Sequence, residues 1–118
     1  ITILTSWAQE ALARDLLIYQ SIDQRVKHLA EIASKSGLGG CVCSPQEVQF
    51  LRKVYSESFE LITPGIRSIN SDINDQSRVS DASEALKMGA SKLVIGRAIT
   101  QSNDPVTMFK SFCDKVII

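Results

Sequence analysis

Lys92-Leu93-Val94-Ile95-Gly96-Arg97 is the stretch whose reading decides the fold. Leu93-Val94-Ile95 is apolar and mostly β-branched, the pattern of a short strand buried on both faces, as in a parallel sheet. The strand stops at Gly96, where a missing Cβ lets a ligand approach the backbone closely. Arg97 follows at once with a planar fork of donors suited to a phosphate or a carboxylate. A charge at the end of a buried strand is costly unless an anion meets it. The stretch therefore reads as a phosphate grip. The competing reading is an arginine paired with a surface carboxylate, or one that snorkels out of the core.

Upstream, the same grammar repeats. Ile1 to Thr5 reads as a strand running into the small hydroxyls Thr5-Ser6, and the segment Trp7 to Tyr19 as one or two helical turns. Ser21 with Gln24 fits a capping box, and Ile22, Val26, Leu29, Ala30, Ile32 and Ala33 form the apolar stripe of the helix it opens. Gly37 closes that helix as the residue beyond the cap. Leu38 to Cys43 is a second strand. Ser44-Pro45-Gln46-Glu47 then starts a helix with a cap, a proline at its first position and a glutamate at its third. That helix offers Val48, Leu51 and Val54 inward and ends near Ser56. Phe59 to Thr63 is a third strand, followed by a type II turn at Thr63-Pro64-Gly65-Ile66. Positions 67–80 show no apolar period and are rich in Ser, Asn and Asp, as a long functional or disordered loop would be. Asp81 or Ser80 caps the next helix, which Gly89 stops. After the strand Lys92 to Gly96, Asp104-Pro105 caps a last helix whose inward face would use Val106, Phe109, Phe112 and Cys113.

Apolar strands alternating with amphipathic helices imply parallel pairing with right-handed crossovers. The four repeats fit half of a (β/α)₈ barrel or a small doubly wound sheet. No glycine-rich dinucleotide fingerprint follows the first strand, which weakens the second choice. In a barrel the ligand lies at the carboxyl ends of the strands, with phosphate held after the last two. Here the last two strand ends are the polar, glycine-bearing ones.

The chain's 118 residues suffice for one domain, spanning positions 1–118, and its zero formal net charge gives no general attraction for nucleic acid or anionic membrane. No apolar run approaches the roughly 20 residues of a membrane span. The opening Ile1-Thr2-Ile3-Leu4 has no basic flank and is too short for a signal peptide; it reads as a polypeptide entered midway, a fragment. Cys41, Cys43 and Cys113 fit no zinc spacing and read as buried free thiols in a reducing cytosol. Asp72 and Asp75 lack further oxygen ligands and read as solvated charges, so no metal is expected. His28 reads as a helix-face histidine, Lys27 and Lys35 as surface charges, and Ser44 as a cap. Gln76 has both a donor and an acceptor to offer across a barrel mouth, though in isolation such a residue is more often a surface amide.

Taken in register, Leu4-Thr5-Ser6, Val42-Cys43-Ser44, Thr63-Pro64-Gly65-Ile66-Arg67, Asp75-Gln76-x-Arg78 and Val94-Ile95-Gly96-Arg97 resemble the carboxyl-terminal half of the bacterial type of the orotidine 5′-phosphate decarboxylase family. The resemblance implies the last four units of a (β/α)₈ barrel and a cytoplasmic homodimer. It implies a lyase of pyrimidine biosynthesis that converts orotidine monophosphate to uridine monophosphate and carbon dioxide without a cofactor. By the same resemblance, Arg97, the Gly96 amide, Gln76 and Arg67 would hold the substrate phosphate, and Gln76 would also reach the pyrimidine. Thr5 and Ser6 would recognise the base edge, and Pro64 and Ile66 would line the pocket. The family's Asp-x-Lys-x-x-Asp motif is absent from the sequence, so no catalytic residue is assigned and this chain alone is expected to be inactive. Two rival readings are a sister barrel acting on sugar phosphates and a non-catalytic half barrel that only binds phosphate.

Overall fold

A computed structural model describes residues 1–67, 78 and 80–116. Its elements in chain order are α1 (Gln9–Leu16), α2 (Ile22–Lys35), β1 (Gly40–Val42), α3 (Pro45–Arg52), β2 (Glu60–Thr63), α4 (Ala82–Lys87), β3 (Lys92–Leu93), α5 (Arg97–Thr100) and α6 (Pro105–Val116). The three strands form one parallel sheet in the order β1-β2-β3. This is an α/β architecture in which every strand lies beside its neighbour in the chain, as in a slice of a (β/α)₈ barrel.

Local chemistry explains most element boundaries. The Ser21 hydroxyl accepts from the Gln24 amide at 3.2 Å, and the Gln24 side chain accepts from the Ser21 amide at 3.3 Å. Gly37 sits at φ +77°, the left-handed conformation that a residue beyond a helix cap requires. At α4, Asp81 is the cap: its carboxylate accepts from the Ser83 amide at 3.0 Å. At α6, Asp104 accepts from both the amide and the hydroxyl of Thr107. Gly65 is at φ +78°, as the type II turn demands.

The core lies between the sheet and its helices. Leu61 of β2, Val48 and Leu51 of α3, Val26 and Ala30 of α2 and Ala85 of α4 are fully enclosed. Cys41 and Cys43 are buried together, whereas Cys113 on α6 is only half-buried. At the amino-terminal edge of the sheet, Arg52 donates to the carbonyls of Gly89, Ser56 and Phe59 and to the Ser91 hydroxyl, which in turn accepts from the Leu61 amide. That fan of bonds ties α3 to the starts of β2 and β3, the end of such a sheet associated with stability.

The structure departs from the sequence reading at several points. Ile1 to Thr5 is not a laddered strand: Thr2 alone bonds β1, its amide and hydroxyl both donating to Val42 O at 3.1 and 2.6 Å. One shared acceptor holds the segment beside β1, but a ladder needs bonds in alternation along both chains. The strand expected over Lys92 to Gly96 shortens to two residues and is not buried on both faces; Lys92 and Val94 are exposed. Among the described residues its one partner is β2, and an edge strand leaves its outer side open. The second strand contracts from Leu38–Cys43 to β1. The helix expected to reach Ser56 ends at Arg52, where the Val54 and Tyr55 amides both turn onto Leu51 O and leave Val54 exposed. On α2, Ile32 lies outside the buried stripe. On α6, Phe112 is buried and Val106 and Phe109 are exposed, because the helix packs chiefly on α4 and α5 and only one side of it meets them. The short helix α5 after Gly96 was not foreseen.

Candidate functional site

Parallel pairing sends every strand toward the same edge, so the loops that follow the strands cluster there. The Thr5-Ser6 end of the first segment, Cys43-Ser44 after β1, Pro64 to Arg67 after β2 and Gly96-Arg97 after β3 all occupy that edge. Thr5 is buried and Ser6 exposed; Pro64 is half-buried and Ile66 fully buried.

Arg67 is 6% exposed, an unusual depth for a guanidinium. Its amide donates to Ser80 O at 3.0 Å, and Ser80 N donates to Gly65 O at 3.1 Å, so Ile66 and Ser80 form a parallel bridge. This bridge sets Arg67 and Ser80 side by side just beyond the end of β2. Asp72, Asp75 and Gln76, named from sequence, lie outside the described residues.

Gly96 precedes α5, and its carbonyl accepts from the Ile99 and Thr100 amides at 2.8 and 3.1 Å. It is exposed, and a Cβ built on it would meet nothing within 4 Å. The space above the Gly96 backbone is therefore open to a ligand. Arg97 is the first residue of α5 and half-buried, not a charge trapped in the core.

A buried ion pair at this edge escaped the sequence reading. Arg78 and Glu47 form a salt bridge with side chains 8% and 1% exposed. Glu47 Oε2 also accepts from the Ser44 amide at 2.8 Å, while Arg78 Nη2 donates to the carbonyls of Ile3 and Leu4 at 3.0 and 2.9 Å. Burial lowers the Arg78 pKa from its ordinary value, with the Asp23 carboxylate opposing. Read from sequence, Glu47 was a helix-capping glutamate, which it is, and Arg78 was part of a motif without a role. The available signal was the spacing of Ser44 to Glu47 beside a strand end; nothing local pointed to Arg78 as its partner. Ser44 and Glu47 form a capping box at the start of α3, in which the Glu47 carboxylate accepting from the Ser44 amide is the tighter half.

Nearby, the hydrogen bond with Cys41, reinforced by burial, pushes the Cys43 thiol well up. His28 is exposed on α2, and no group of three or more metal-ligating side chains occurs among the described residues. No helix among the described residues is long and apolar enough to cross a membrane. The edge is thus equipped to bind an anionic, polar ligand between hydroxyls and guanidinium groups.

The model of the orotidine 5′-phosphate decarboxylase / HUMPS family matches residues 1–112. A protein named orotidine 5′-phosphate decarboxylase from Prochlorococcus marinus strain NATL1A is 80% identical over all of this chain and 49% of its own length. One of the same name from strain MIT 9211 is 50% identical over 96% of this chain and 47% of its own. The chain spans about half the length of the curated relatives it matches. The crystal structure of orotidine 5′-phosphate decarboxylase from Lactobacillus acidophilus superposes with a TM-score of 0.79 at 29% identity, over 99% of this chain and 47% of that one.

Proposed function

Because the chain belongs to the orotidine 5′-phosphate decarboxylase / HUMPS family, we propose that it forms the second half of an orotidine 5′-phosphate decarboxylase barrel and grips the nucleotide substrate. The observation that carries this reading is 80% identity, along the whole chain, to a protein bearing that name. The relatives at 80% and 50% identity share the decarboxylase name, which favours it over a sugar-phosphate activity.

In this reading Arg97, the Gly96 amide, Arg67 and Gln76 hold the 5′-phosphate. Thr5 and Ser6 meet the edge of the pyrimidine, with Gln76 reaching it as well, and Pro64 and Ile66 wall the pocket. The reaction exchanges the carboxylate of the base for a proton and releases carbon dioxide, with no cofactor. The lysine and aspartates for the proton transfer belong to the part of the relatives' length that this chain does not span. Binding energy gathered at the phosphate is then spent at the distant reacting carbon, which is how remote contacts raise kcat. The assembled protein is a cytoplasmic homodimer in pyrimidine biosynthesis.

The test is titration calorimetry of uridine monophosphate on the assembled two-half protein, with Arg97→Ala as the variant, alongside a spectrophotometric decarboxylation assay. Arg97→Ala should weaken binding by about 2–4 kcal/mol, the cost of removing one partner of a hydrogen-bonded charge pair. Unchanged affinity would remove Arg97 from the phosphate site. A parent protein that leaves orotidine monophosphate intact would overturn the decarboxylase reading.

A further inference from the structure

We infer that Arg78 and Glu47 form a positioning clamp that sets the base-recognising end Thr5-Ser6 at a fixed place relative to the phosphate-gripping Arg67; the inference rests on the proposed decarboxylase reading. Arg78 Nη2 binds the carbonyls of Ile3 and Leu4, the two peptides just ahead of Thr5. Its other terminal nitrogen binds Glu47, whose second oxygen holds the Ser44 amide at the end of β1. The main chain of Arg78 takes part as well. A Cβ placed on Gly65 would lie 2.7 Å from Arg78 O and 3.1 Å from Thr5 Cγ2, so these three residues are in contact around the turn. Ser80 then passes the position on, its amide bonded to Gly65 O and its carbonyl to the Arg67 amide.

One guanidinium therefore links three segments that end at the site but do not otherwise share a ladder there. Neither Arg78 nor Glu47 needs to touch the ligand. Their depth removes the screening and freedom that make surface ion pairs weak, and the planar fork holds three acceptors in one geometry. Bonds to the two peptides ahead of Thr5 fix where the base-recognising segment as a whole lies relative to Arg67. Misplacement of about 1 Å from a change remote from the chemistry can cost roughly 100-fold in rate.

The clamp differs from a purely stabilising ion pair in one readout. It matters to a ligand that spans both the base grip and the phosphate grip, and not to one that uses the base grip alone. The decisive variant is Glu47→Gln with Arg78→Met in the assembled two-half protein, because removing both charges avoids stranding one in the interior. Arg78→Lys is the second variant, keeping the charge and losing the fork. Each is assayed on orotidine monophosphate and on orotidine, which lacks the phosphate, well below its melting temperature. The double variant should lose about 10- to 100-fold in kcat/KM for the nucleotide and less than about twofold for the nucleoside, and Arg78→Lys should lose in the same sense by less. Equal losses on both substrates, or none, in a folded variant would overturn the clamp. If the double variant does not fold, Arg78→Lys decides by the same ratio. If the parent binds nucleotide but does not decarboxylate it, the decarboxylase reading fails. The clamp is then judged by the affinity ratio of uridine monophosphate to uridine, which should fall in both variants and would refute it by staying fixed.

Discussion

Replacing Gly65 by alanine tests the geometry of the site edge with an internal control. Gly65 and Gly37 sit at φ +78° and +77°, so the conformational penalty for an L-residue is the same at both, about 1–2 kcal/mol. Their surroundings differ. At Gly37 a Cβ would meet nothing within 4 Å, whereas at Gly65 it would lie 2.7 Å from Arg78 O, 3.1 Å from Thr5 Cγ2 and 3.6 Å from Pro45 Cδ. The first of these is backbone and cannot rotate away, so the added methyl also carries an overpacking cost of about 1–3 kcal/mol. Gly37→Ala should therefore destabilise by about 1–2 kcal/mol and Gly65→Ala by about 2–5 kcal/mol. Urea unfolding of both variants, followed by circular dichroism at one protein concentration, reads the difference directly. Gly65→Ala should also weaken nucleotide binding, since relief of the clash moves Thr5 or Arg78. Equal losses of stability in the two variants would refute the close packing of Thr5, Gly65 and Arg78 on which the clamp depends.

Asp81 offers a pH test. Partial burial raises its pKa, but the Lys115 ammonium at 3.1 Å and the Ser83 and Ala82 amides outweigh this and hold it below the ordinary 3.8. The unfolded chain binds the proton more readily, so the stabilisation is complete above the unfolded pKa and is lost as pH falls through the folded one. Asp81→Asn should flatten the stability profile below about pH 4, as read by urea midpoints, and leave its slope near neutrality unchanged. Cys43, buried and with its thiol pushed up, should resist alkylation in the native protein while half-buried Cys113 reacts; mass mapping that finds Cys43 modified first would contradict this. The 118-residue chain by itself should be inactive on orotidine monophosphate, because it carries no Asp-x-Lys-x-x-Asp motif, and should be oligomeric or poorly soluble, because the outer edge of β3 is unpaired and Val94, Val106 and Phe109 are exposed among the described residues. Light scattering with a spectrophotometric decarboxylation assay reads both, and a stable monomer that turns over substrate would refute the expectation.

Features that depend on residues a few positions apart were legible in the sequence. Ser21 with Gln24, Asp81, Asp104 and the turn at Gly65 all follow from local hydrogen-bonding and steric rules, and the structure bears them out. The clustering of Pro64 to Arg67 and Gly96-Arg97 after the last two strands follows from strand polarity, whereas Thr5 is named by the family resemblance alone. Misread features depend on what lies alongside. The apolar run at Leu93 to Ile95 reported a preference for burial but not that β3 has one neighbour. On α6, the periodicity that named Val106 and Phe109 could not say how wide a face its partners cover. Arg78 and Glu47 stayed hidden because an ion pair 31 residues apart leaves no local pattern.

The order β1-β2-β3 also has a kinetic consequence. Each strand pairs with the next one along the chain, but through parallel crossovers that run from Val42 to Glu60 and from Thr63 to Lys92, so the sheet itself closes at a substantial sequence separation. The bonds from Arg78 to Ile3 and Leu4 close longer spans, of 75 and 74 residues. Loop-closure entropy places that step after the sheet has brought the ends together. A contact formed after the transition state acts by slowing unfolding, so Arg78→Met should speed unfolding more than it slows folding. On this expectation the residue pair that fastens the site edge also slows the reopening of that edge once the chain has folded.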